Sequence, residues 1–86
     1  MTPEAHTGLL AVQRTLWKGR LDEARAAYEK AVALLEAVLR EGDSAQASPD
    51  LALRRRLALF RETEAREEYV RVLKIYADLV VHNIAP

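Results

Sequence analysis

The chain of 86 residues contains no cysteine, so no disulfide, thiol nucleophile or thiolate metal ligand is available to it. Glycine and proline are scarce, three of each, which leaves few places where a helix must stop. Charge of neither sign prevails. The 13 Lys and Arg balance 13 Asp and Glu, so no net field draws the chain toward nucleic acid or an anionic membrane. No uncharged run is long enough to span a bilayer, and no membrane insertion is expected. The opening MTPEAHTG has no basic segment ahead of an apolar one, so a cytoplasmic protein is the expectation.

What is present is helical. The stretch from Arg20 to Glu41 carries Leu21, Ala24, Tyr28, Ala31, Leu35 and Val38 in alternating three- and four-residue steps, one face of an amphipathic helix. Ala27, Leu34 and Leu39 with Val32 widen that face enough to touch two neighbours. Thr2-Pro3-Glu4 and Ser48-Pro49-Asp50 each combine a capping hydroxyl, a first-turn proline and an acid, and so mark two helix starts. Gly19 and Gly42 stand where helices would end. The reading is therefore a single all-α domain, 1–86, with helices over about 3–18, 20–41 and 49–83 packed as an antiparallel three-helix bundle. The first helix would bury Leu9, Val12, Leu16 and Trp17.

The third helix is the unusual one. Its apolar face begins as Leu53, Leu57 and Phe60, then resumes as Tyr69, Leu73, Tyr76 and Val80, rotated by roughly 150° at 100° per residue. The polar run from Arg61 to Glu68 lies between. A helix of this length would pass the start of the central helix near Tyr69 and overhang the hairpin. Either it breaks within Arg61 to Glu68 and folds back, or it stays straight and buries the overhang against a second copy. The absence of glycine and proline there favours the straight helix and a homodimer, with Tyr69, Val72, Leu73, Tyr76, Leu79 and Val80 as its interface.

Trp17 to Ala31, WKGRLDEARAAYEKA, resembles the turn and second helix of a tetratricopeptide (TPR) repeat, with Gly19 at the turn, Asp22-Glu23-Ala24 as the DEA segment, Tyr28 as the aromatic and Ala31 as the small residue. Gly8 and Val12 depart from the repeat's pattern, and no second repeat follows, which excludes a conventional array. Over Leu9 to Ala65 the chain is similar to the MIT (microtubule interacting and trafficking) domain, a three-helix relative of that repeat. The likeness rests on Gly19, Leu21, Glu23, Ala24 and Tyr28, the segment Gly42 to Ser48, then Leu53-Arg54-Arg55-Arg56 and Phe60. Thr63-Glu64 stands where the family has Arg-Ala. The resemblance implies a protein-interaction module that takes a partner helix or tail in a groove beside the third helix, bordered by Leu53, Arg54, Arg55, Arg56, Leu57 and Phe60.

Chemistry-bearing constellations are absent by comparison. His6 and His82 lie near opposite ends and form no ligand pair, so no metal site is expected. Asp78 and His82 are one helical turn apart, a spacing that surface contacts share with proton-transfer pairs. Glu62, Glu64, Glu67 and Glu68 lack the histidines of a di-iron bundle and read as a solvated face. No nucleophile motif or phosphate loop occurs, and neither catalysis nor a cofactor is expected. The cluster Arg54-Arg55-Arg56 supports one alternative, a small dimeric nucleic-acid-binding or regulatory protein. Arginine outnumbers lysine and alanine is abundant, a bias that suits a GC-rich, thermophilic source.

Overall fold

The computed structural model describes the backbone of residues 3–44 and 49–86 and the side chains of residues 8–41 and 49–86. Two helices make up the fold, α1 over Pro3–Ser44 and α2 over Pro49–Val81, and no strand occurs among the described residues. They lie antiparallel as a rod measuring 66 × 16 × 14 Å. That length is what α1 alone, 42 residues at about 1.5 Å each, requires. The all-α class agrees with the sequence, but the arrangement is a two-helix hairpin rather than the expected three-helix bundle.

The correction centres on Gly19. The expected turn does not form, and α1 runs through the glycine without a positive φ. The periodicity explains why. The steps that begin at Leu21 extend backward through Trp17 and Arg14 to Leu10, giving one seam of alternating four and three residues from Leu10 to Val38. A straight helix thereby buries both Leu10 and Trp17. Burying one large apolar side chain is worth about 2 kcal/mol, more than the roughly 1 kcal/mol that a mid-helix glycine costs. The same extension rotates Leu9, Val12 and Leu16, expected in the core, out to solvent. α1 also passes Gly42, the other expected stop, and ends at Ser44. The caps read at Thr2 and Ser48 lie outside the described residues.

The same alternation continues without interruption in α2, through Leu51, Arg55, Ala58, Glu62, Ala65, Tyr69, Val72, Tyr76 and Leu79, all buried or half-buried. The helix neither breaks in Arg61 to Glu68 nor changes the face it presents to its neighbour. Alanines at 24, 31, 58 and 65 let the two backbones approach closely in mid-rod. Register follows from pairs far apart in sequence: the Tyr28 and Tyr69 rings stack with centroids 5.8 Å apart, and Arg14 Nη2 donates to Asn83 Oδ1 at 2.6 Å. α2 ends where Asn83 takes a left-handed φ of 54° and the Ile84 amide returns to the Asp78 carbonyl at 3.1 Å.

Two apolar clusters result. One contains Trp17, Ala24, Val72 and Leu79, with Leu21, Tyr69, Ile75 and Tyr76 packed against it, and defines the proximal half of the rod. The other, Val38, Leu51 and Ala58 with Leu35, defines the distal half.

Candidate functional site

Pairing through one seam leaves two flanks along the rod. Clefts on the first flank are lined by Arg20, Glu23, Glu68 and Arg71 in the proximal half, and by Leu34, Arg54, Leu57 and Arg61 in the distal half. These residues occupy equivalent seven-residue positions in both helices, so the complementary positions form the second flank. On α2 the second flank reads Leu59, Thr63, Arg66, Val70, Leu73, Ala77 and Val80, again in four- and three-residue steps. From Val70 to the end of the helix every member of this second seam is apolar and exposed, although it has the spacing that buries side chains against another helix.

This placement divides the expected dimer residues. Val72 and Leu79 are 2% and 0% exposed because they face α1, and Tyr69 and Tyr76 pack against the same proximal cluster. The anticipated overhang is absent, since the extension of α1 through Gly19 covers that face. Leu73 and Val80, 40% and 43% exposed, remain outward with Val70 and Ile84. The sequence reading located the right half of the helix and mixed its inner and outer faces. The signal that separates them is the unbroken alternation of α1, which fixes how much of α2 is already covered.

The expected groove is also divided. Leu53, Leu57 and Phe60 are exposed rather than packed on α1. Arg54, Arg55 and Arg56 point in three directions. Arg54 Nη2 meets Glu41 Oε2 across the hairpin at 2.6 Å. Arg55 occupies the seam, its Nε buried with no hydrogen-bond partner. Arg56 is exposed at a second-flank position. Leu57 lines a small first-flank cleft of about 130 Å³ with Leu34, Val38, Ala58, Arg54 and Arg61. Leu53 and Phe60 lie outside that cleft.

No family model, curated protein or solved structure matches the chain. Trp17 to Ala31, which carries the TPR likeness and the first part of the MIT likeness, falls within the single helix α1, while Leu53 to Arg56 and Phe60 fall within α2 and residues 45–48 lie outside the described residues.

The electrostatics are those of a solvated rod. Lys18 Nζ to Asp22 Oδ1 at 2.6 Å and Arg25 Nε to Glu29 Oε1 at 3.1 Å run along α1 on the second flank. Arg71 donates to Glu68 on α2 at 2.9 Å through Nε. That hydrogen bond lowers the Glu68 pKa and raises that of Arg71, and the hydrogen bond from Lys18 to Asp22 raises the Lys18 pKa. The Arg20 guanidinium lies 4.5 Å from the Trp17 ring centroid. Among the described residues no group of three or more His, Cys, Asp or Glu is placed to hold a metal ion, and no helix is long and apolar enough to cross a membrane. The arrangement can bind another helix through apolar contact. Among the described residues it brings no nucleophile together with a base.

Proposed function

We propose that this protein is a non-catalytic interaction module, a helical hairpin that docks another helix against the exposed second seam of α2. The observation that carries this reading is the stripe Val70, Leu73, Ala77 and Val80, apolar at each helix-packing position and exposed. Surface area supports it. The chain exposes 6454 Å², whereas a compact monomer of 9.7 kDa would expose about 5,100 Å². The splitting of Arg54, Arg55 and Arg56 among ion pair, seam and opposite flank disfavours the nucleic-acid alternative, because no continuous basic surface forms from them.

The test is the size of the native species in extracts of source cells, compared for the wild-type chain and the Leu73→Glu, Val80→Glu variant. The wild type is expected in particles heavier than its own 9.7 kDa, and the variant as the free hairpin. Both positions are exposed, so the variant keeps its helicity by circular dichroism. Identical elution of the two chains would remove the reading.

A further inference from the structure

We infer that the helix docked on this stripe is α2 of a second copy, held antiparallel about a two-fold axis at Ala77. The inference rests on the docking role proposed above and names its partner. The stripe itself motivates the choice. Its helical residues are large on either side of a small one, so a two-fold near Ala77 sets Leu73 against Val80 of the second copy. Alanine at the axis allows the close backbone approach that alanines already provide within the hairpin.

Charge then selects the orientation. In the register fixed by Tyr28 with Tyr69 and Arg14 with Asn83, Ala77 lies at the level of Arg20 on α1. An antiparallel partner therefore brings Lys18 opposite Asp22 of the second copy, and the two intrachain Lys18–Asp22 pairs meet head to tail. A parallel partner would set Arg56 and Arg66 of α2 each against its own copy. An antiparallel pairing moved toward the distal half would press Arg66 onto Leu73. Only the axis near Ala77 places apolar on apolar and opposite charge on opposite charge. The chain's formal net charge is +0, so no long-range repulsion opposes self-association.

The experiment uses the purified full chain, in which the lack of cysteine makes an introduced thiol unique. Sedimentation at tens of micromolar is expected to give twice the 9.7 kDa chain mass. Under mild oxidation Ala77→Cys is expected to form a disulfide-linked dimer, because the axis sets the two side chains face to face. Arg56→Cys is expected to stay monomeric under reducing gel conditions and uncrosslinked on oxidation, its two copies being about 60 Å apart. Crosslinking of Arg56→Cys together with Ala77→Cys would overturn the antiparallel arrangement. A dimer in which Ala77→Cys fails to crosslink would overturn the position of the axis. A chain that sediments at 9.7 kDa would overturn self-association outright. If that same chain ran in larger particles in cell extracts, lost with Leu73→Glu and Val80→Glu, the docking role would stand with a different protein as its partner.

Discussion

The proximal and distal halves of the hairpin share one seam but not one composition. The proximal half closes over Trp17, Val72 and Leu79, with Tyr69, Tyr76, Leu21 and Ile75 around them. The distal half has Val38, Leu51 and Ala58 with Leu35, and its seam also holds Arg55 and Glu62. Its larger apolar side chains, Leu53, Leu57, Leu59 and Phe60, are on the surface. Stability therefore concentrates at the proximal end, and that is also where the uncovered stripe of α2 lies. A well-packed proximal segment holds its outer stripe in place, so the docking proposed there would lose little conformational entropy.

Truncation of the two cores tests this contrast most strongly. Leu79→Ala removes a side chain with 0% exposure and is expected to destabilise by about 3 kcal/mol in urea unfolding. Val38→Ala, at 5% exposure in the thinner cluster, is expected to lose about 1 kcal/mol, since fewer methyl groups and fewer packed neighbours are involved. Equal losses would dissolve the distinction between the halves. A gain in the distal half would sharpen it. The Glu62 side chain is 12% exposed, and its Oε1 lies 3.6 Å from Arg66 Nη1. Replacing this nearly covered, loosely paired carboxylate by leucine is expected to stabilise by about 1 kcal/mol, read as a higher urea midpoint. No change, or a loss, would mean that Glu62 is better solvated than its burial indicates.

Gly19 allows a smaller change on the proximal side. A Cβ added there meets no atom within 4 Å, so Gly19→Ala is expected to raise stability by about 1 kcal/mol through helix propensity alone. A decrease in thermal midpoint would show that the chain uses a bend at this residue that the straight helix does not contain.

The periodicity of α1 between Leu21 and Val38 was legible because its large apolar residues mark the seam. The rest was hidden by residues whose side chains do not advertise burial. Arg14 interrupts the apolar pattern just where the seam passes Gly19, so the glycine read as a turn. In α2 the seam passes through Arg55, Ala58, Glu62 and Ala65, while Leu53, Leu57 and Phe60 outline a more hydrophobic face that packs on nothing in the chain. Hydrophobicity therefore pointed to the wrong side of the distal half. Leu73 and Val80 adjoin the buried Val72 and Leu79 in sequence, so the inner and outer faces of the proximal half read as one. Separating such neighbours requires the inner seam first.

The least consequential contact on the rod gives the finest check on the first flank. Arg71 lowers the Glu68 pKa chiefly through a hydrogen bond at an exposed site. A lowered folded-state pKa means that this pair's contribution is complete above the ordinary glutamate range and is lost as pH falls through the lowered value. Because both side chains are more than half exposed, solvent and salt screen the pair, and acid titration of overall stability should show almost nothing from it. The measurement that resolves it is the carboxyl chemical shift of Glu68 against pH. Its midpoint should lie below that of an unpaired glutamate and return upward in Arg71→Ala, with the unfolding midpoint at neutral pH unchanged. A midpoint insensitive to Arg71 would place the cause of the shift elsewhere on α2.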